Sequence, residues 1–404
     1  MAEVPATTLR SIRLLSFATF ASMVTQRVCD AMLPELSRTF SASMADTAQV
    51  VSLFAVTYGV AQLWYGPLGD RFGKFRMVML TTLACSVGSL LALVAASLPM
   101  LVVARVLVAL FAAAVIPLSM AWVGDAVPYE QRQEMLAKLG LGSTFGIVGG
   151  QVVGGLFTDT LGWRWAFGFL TAVYLVVGAL LWRDWRQQRA RDPALAGAAA
   201  VPGPAGGFVR QSAGIVLRPW SRVVLLAAFV EGASAFGTLA IVATHLHQRL
   251  GLALSAAGAI VALFGAGGML YMVVARALIR RLGETGLTRV GGVLFGLSFV
   301  ALGYVPHWTL ALPACLVAGF GFFMLHNTLQ TNATQMAPEA RGTGVTLFAC
   351  ALFLGQSVGV LVAAALLGRI GSAAVVAGGG GVLIVLALLF ARAIALRDRV
   401  AYLG

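Results

Sequence analysis

The sequence predicts an all-α polytopic membrane protein, and three observations predict it. Hydrophobic residues fill 59% of its 404 positions and charged residues only 11%, with a mean hydropathy of +0.90, beyond what a soluble globular chain carries. Apolar stretches of about 20 residues, the length a helix needs to cross the hydrocarbon of a bilayer, recur along nearly the whole chain. The connections between them alternate in charge. Basic residues gather on one side, and the other side holds only Arg38, Arg164, Arg249 and Arg369, so both termini are expected in the cytoplasm.

Twelve transmembrane helices follow in order. The first half gives spans 11–33, 47–69, 76–97, 99–122, 137–160 and 163–182, and the second gives 220–243, 254–279, 287–306, 308–331, 343–367 and 371–394. The loop after the second span reads GPLGDRFGKFR, Gly66 to Arg76, a charged turn where the chain re-enters the membrane. A degenerate echo, RALIRRLGETG around Gly283, follows the eighth span, with Arg280 where Asp70 would align. Between the sixth and seventh spans, WRDWRQQRARD passes into ALAGAAAVPGPAGG, the composition of a flexible linker. The expected organisation is an N-terminal six-helix bundle (1–182), a cytoplasmic linker (183–219) and a C-terminal six-helix bundle (220–404), the two bundles being pseudo-symmetric.

Composition excludes several function classes. The net charge of +13 lies in loops beside membrane and forms no aromatic-interleaved patch, so anionic lipid headgroups are the expected partner and nucleic acid is not. Cys29, Cys85, Cys315 and Cys350 all fall within spans without a CxxC pair and read as small packing residues. His245 and His247 are expected in a solvated outer loop, with no neighbouring ligands for a metal. No GxxxxGK[ST] is present, which argues against a nucleotide-driven pump, and no soluble catalytic module remains for an enzyme. No cofactor or metal is expected. The long first apolar run lacks a cleavage site and is expected to stay as a helix, in a bacterial inner membrane.

The six-plus-six arrangement, the basic central connection and GPLGDRFGKFR together resemble the major facilitator superfamily, over essentially the whole chain. Residue chemistry gives that loop a physical sense. Gly66, Gly69 and Gly73 permit a tight turn, Asp70 can cap a helix or bind an arginine, and Arg71, Lys74 and Arg76 hold the turn inside. The resemblance implies a conformational latch in which Asp70 bridges to neighbouring helix ends; the alternative is a topological anchor. Asp125, Glu130 and Arg132 are similar to the charged residues that follow helix 4 in that family and are expected to partner Arg71 and Arg76. GIVGGQVVGG, with Gly146, Gly150, Gly154 and Gly155, resembles the helix 5 motif of proton-coupled antiporters, with Gln151 at the proline position; close helix packing alone would also explain the glycines. Arg105 resembles the buried arginine of helix 4 that is linked to proton coupling, although Val108 and Ala109 depart from the pattern around it. WRWAF (Trp163–Phe167) and APEARGTG (Ala337–Gly344) are similar to common junctions of the fold.

Ionisable residues inside a bilayer cost about 2.5–3.5 kcal/mol each at a helix centre and are functional candidates. Arg27 and Asp30, three residues apart, can neutralise each other or serve a substrate. Glu231 has no opposite charge within a turn and precedes the small-residue run GASAFGT, so it is the leading proton-coupling candidate, ahead of Asp30 and Arg105; the alternatives are permanent protonation or an arginine partner. The resembled fold lines its cavity with helices 1, 4, 7 and 10, which favours Gln26, Arg27, Asn327 and Gln330 as substrate contacts, with Tyr58, Gln62, His326 and Gln356 as further polar residues. Any of the amides can equally bond another helix.

The expected function is a secondary transporter, sufficient as a monomer, that exports small amphipathic compounds in exchange for protons by alternating access. An importer or uniporter of an organic anion or nutrient, with Arg27 or Arg105 as the anion contact, is the first alternative. A transport-dead membrane receptor or assembly partner is the second.

Overall fold

The structure, a computed structural model, describes residues 5–191 and 205–403, and they are helical with no strand among them. Among the described residues, nine helices are long and apolar enough to cross a membrane. Two of these, Leu254–Tyr304 and Arg341–Leu403, each hold two spans, broken at Gly283 (φ 60°) and Gly371 (φ 80°). The first helix, Ala6–Arg27, completes the twelve.

Span ends shift where hydropathy is blind to helix. The fifth helix runs Tyr129–Thr160, starting directly after Pro128, because its first two turns are polar but still helical. The sixth runs Trp163–Arg191, well past the apolar residues that predicted it. Part of the expected flexible connection is therefore helix, as is Ala205–Val216; residues 192–204 of that segment lie outside the described residues. The fourth span is two helices, Leu98–Ala112 and Val115–Ala126. The seventh is Pro219–Glu231, a π turn at Gly232–Phe236, and Gly237–Leu250. Since that helix reaches Leu250, His245 and His247 are not in a loop. His245 is buried, with its ring nitrogens 2.8 Å from Ser372 Oγ and 3.1 Å from the Leu302 carbonyl. The four cysteines are free and buried, as packing residues should be.

Two six-helix bundles build the molecule. One large apolar core spans residues 12–181 and takes in only Ala240, Val360 and Ala364 from the second half, whereas the second half packs around its own clusters of aromatic and aliphatic residues. Phe264, Phe295, Phe299 and Phe322 form the centre of one of these through tilted and edge contacts of 4.7–5.9 Å.

Glycine sets the distances between helices. Lipid tails are as apolar as side chains, so helices associate through close packing, and small residues let backbones meet. A Cβ on Gly146, Gly150 or Gly154 of the fifth span would strike Phe20, Val24 or Val28 backbone on the first. In the second half, a Cβ on Gly355 or Gly359 of the eleventh span would strike the carbonyls of Phe229 and Ala233 on the seventh. The same joint is built twice, between spans 5 and 1 and between their counterparts 11 and 7. Gly155 is the exception to the expected single face, because its Cβ would meet Leu254 of the eighth span, across the two halves.

Overpacking at these joints has a cost. Gly150→Val and Gly355→Val are each expected to destabilise the protein by about 1–3 kcal/mol. Gly66→Ala, with nothing within 4 Å of the added carbon, should fall within about 0.5 kcal/mol of the parent. Thermal unfolding of the three variants in detergent measures the difference.

Candidate functional site

The two halves touch in the middle of the bundle and toward the end opposite the termini. Asp159, closing the fifth helix, accepts a hydrogen bond from the backbone N–H of Ser255 at 2.6 Å and so caps the start of the eighth. Gly258 and Gly265 of the eighth span lie against Gln151 and Val148 of the fifth, and Gly59 of the second lies against Cys350 and Phe353 of the eleventh. Toward the termini the interface is more open. Gly66, Gly140 and Gly342 have free space around them, and Gln330 and Thr331 of the tenth span are exposed.

Glu231 ends the first helix of the seventh span and faces the tenth. Its carboxylate is fully buried and its Oε2 is 3.0 Å from Nδ1 of His326, whose side chain is 16% exposed. The imidazole stacks on Phe322 at 4.8 Å and lies 5.6 Å from Phe348. The expectation of a carboxylate without a nearby opposite charge holds along its own helix only; its partner comes from the tenth span, 95 residues away. Backbone geometry helps to place it. The π turn that begins at Gly232 inserts a residue just after Glu231, a feature often found at functional positions, and Gly232 is pressed against Leu352 and Gln356 of the eleventh span.

Arg27 and Asp30 do pair, at 3.5 Å, but not on a helical face. The first helix ends at Arg27, and Asp30 belongs to the following turn, with its N–H bonded to the Arg27 carbonyl. Gln151 Nε2 donates to the same Asp30 oxygen at 3.0 Å. The residue that departs from the proline pattern is thus tied to the other acidic candidate, and the fifth helix runs on unbroken. The guanidinium of Arg27 lies 4.3 Å from the centre of the Phe236 ring, within the π turn of the seventh span. Arg27, Asp30 and Gln151 therefore meet the second half at one point.

Arg105 is used differently. It donates to the carbonyls of Thr25 (2.7 Å) and Val50 (3.4 Å) and covers Phe54 at 4.1 Å, which ties the fourth span to the first and second. Tyr58 is buried between Phe54 and Phe353, Gln26 is buried, Asn327 is half-buried and Gln330 is exposed. The polar candidates thus do not line one common surface.

The expected loop after the second span is a turn at Gly73 alone, because the helix Gln49–Phe72 takes in Gly66, Gly69 and Asp70 and the next helix begins at Lys74. Lys74 is the hub. It reaches Asp125 at 2.5 Å and Asp70 at 3.4 Å. Arg71 and Arg76, expected to hold Asp125, instead lie over Phe72 (5.2 Å) and Trp185 (5.9 Å). Gly73, at φ 87°, turns the chain between the second and third spans, and Lys74 directly after it reaches the end of the fourth span. Arg132 donates to the Val127 carbonyl at 3.4 Å, and the Glu130 side chain lies outside the described residues. The second half has a matching arrangement at the positions its degenerate echo aligns, with the charge reversed. Glu284 follows Gly283 as Lys74 follows Gly73, accepts a bond from Asn332 of the tenth span and meets Arg397 at 3.3 Å. Arg397 in turn holds Asn332 at 2.6 Å.

Burial would lower the pKa of Lys74, but its hydrogen bond to Asp125 and the two carboxylates outweigh that and raise it. The pair's contribution is therefore complete below the ordinary lysine value of about 10.4 and is lost as pH rises through the higher folded value. A double-mutant cycle of Lys74→Ala and Asp125→Asn, read by unfolding at neutral pH, should give a solvent-screened coupling of about 0.5–1 kcal/mol.

Similarity to known proteins agrees with this architecture. Residues 15–360 match the model of the Major Facilitator Superfamily. The multidrug export protein EmrB of Haemophilus influenzae is 28% identical over 169 residues, 42% of this chain and about a third (33%) of that protein's length. The MFS-type transporter YceJ of Bacillus subtilis is 26% identical over 343 residues, 82% of this chain and 83% of the relative. Among solved structures, a mutant of the nucleoside transporter NupG superposes with a TM-score of 0.78 at 13% identity, covering 95% of this chain and 98% of that one. With twelve spans, two six-helix bundles and a family match over most of its length, the chain belongs to the Major Facilitator Superfamily of membrane transporters.

Proposed function

We propose that the protein is a proton-driven exporter of small amphipathic compounds, working by alternating access between its two bundles. The observation that carries this reading is the fully buried Glu231 carboxylate, held by a partly exposed histidine on a cavity-side helix. A carboxylate in a low-dielectric interior is neutral or paired, and a switch between these states is what coupling requires. Protonation of Glu231, with Asp30 as the second acidic group, favours one facing state. An amphipathic compound binding from the open end favours the other and displaces the proton. Asp70, Lys74 and Asp125 form the latch at the end carrying the termini, which is cytoplasmic in a bacterial inner membrane. The similarity to the multidrug export protein EmrB supports the direction and the substrate class.

A second reading, uptake of an organic anion, draws support from Arg27 Nε and Arg105 Nη2, buried donors with no partner among the described residues. The neutralisation of Arg27 by Asp30 weighs against it.

Everted vesicles containing the protein, with an acid interior and a pH-sensitive dye, separate these readings. Cationic amphiphiles should discharge the gradient with the parent protein, and Glu231→Gln should lose at least about tenfold of that response. An unchanged response in Glu231→Gln would overturn the assignment. Gradient-independent accumulation of an anion in intact cells, abolished by Arg27→Ala, would select uptake instead.

A further inference from the structure

The coupling carboxylate has no surface of its own. Glu231 is fully buried, and its one polar contact among the described residues is His326. The eleventh span closes another side: Gly232 abuts Leu352 and Gln356, and Gly355 abuts Phe229, at backbone contact. The imidazole has one nitrogen on Glu231 and part of its side chain exposed. Phe322, stacked at an interplanar angle of 19°, and Phe348 hold the ring in that orientation.

We infer that His326 is the proton conductor between the open cavity and Glu231, an inference that rests on the coupling role proposed for that carboxylate. Imidazole suits this role because each of its nitrogens can bind a proton, and its charge changes near neutral pH. With Glu231 ionised, the imidazole is the Nδ1–H tautomer and donates to Oε2. A proton arriving from the cavity bonds to Nε2. The Nδ1–H bond then breaks, the proton bonds to Oε2, and the Nδ1–H electron pair stays on Nδ1. The products are a neutral Glu231 acid that donates to Nδ1 and a neutral imidazole carrying Nε2–H. One proton has entered and none is lost. Release runs the same steps backwards, so the ring need not turn between its aromatic neighbours.

Infrared spectroscopy of the full chain in lipid tests this without any substrate. The carboxylic-acid band of Glu231 is assigned by its disappearance in Glu231→Gln, and its hydrogen–deuterium exchange is timed after a switch to heavy water. Exchange should slow by ~10²-fold in His326→Asn, which keeps an amide donor but cannot relay a proton. Imidazole added to the buffer should restore fast exchange to His326→Ala. Equal rates in His326→Asn and the parent would overturn the relay while leaving Glu231 as the coupling group. Absence of any Glu231 acid band across the pH range would overturn the coupling reading, and the relay with it. Should His326→Asn fail to fold, His326→Gln poses the same question, with the same two outcomes.

Discussion

Close approach of helix backbones at glycine is the constraint on which the rest of this structure depends. Hydrocarbon offers no hydrophobic force to drive one helix onto another, so contact distance decides the packing. Gly150 and Gly154 fix the register of the fifth span on the first, and that register sets Gln151 beside Asp30. Gly355 and Gly359 fix the eleventh span on the seventh, and that register seals the eleventh-span side of Glu231. A side chain at either joint would move both the helices and the polar groups between them. The joints between halves follow the same pattern, the fifth span meeting the eighth and the second meeting the eleventh, which are equivalent pairs under the internal repeat.

Much of the fold was legible in the sequence because the membrane imposes a length and a polarity on every span. The number of spans, the burial of the cysteines and the charged turn at Gly73 all follow from that one rule. The errors fall where the rule does not apply. Tyr129 to Leu136 and Arg183 to Arg191 are helical but polar, so hydropathy placed the helix ends wrongly. The Glu231–His326 pair joins residues on different helices, and no spacing within either helix announces it. Gly155 shares a motif with Gly154, yet one residue turns it by about 100° around the helix, away from the first span and onto the eighth.

The internal repeat also appears in the loops with its charges exchanged. Lys74 and Glu284 each follow a glycine of positive φ and reach the end of the fourth span or of its counterpart, the tenth. Aligning the turns at Gly73 and Gly283 sets Arg280 opposite Asp70 and Glu284 opposite Lys74, so the sign is exchanged at both positions. Geometry chooses which side chain faces the neighbouring helix, and either sign of charge can make the contact. The second half adds Arg397 from its last span, which also covers Trp220 at 4.7 Å. Each half thus fastens its own helix ends, and neither fastening requires the other half to be near.

The π turn joins the two polar centres. Glu231 immediately precedes it and Phe236 ends it, so the stretch from Glu231 to Phe236 faces His326 at its start and Arg27 at its end. Phe236 also meets Phe322 at 5.1 Å, and Phe322 stacks on His326. A regular α-helix has one residue fewer per such turn, and the phase difference is about 100°. If the segment became α-helical while the glycine joints held the span in place, either Glu231 or Phe236 would swing away from its partner. The two contacts therefore hold together only while the extra residue stays in the turn. This backbone and the Phe236–Phe322–His326 contacts both link the surroundings of Glu231 to the Arg27–Asp30–Gln151 cluster. Asp159 and Ser255 join the fifth and eighth spans across the same interface, so the segment that follows the proposed proton site abuts a surface where the two halves meet.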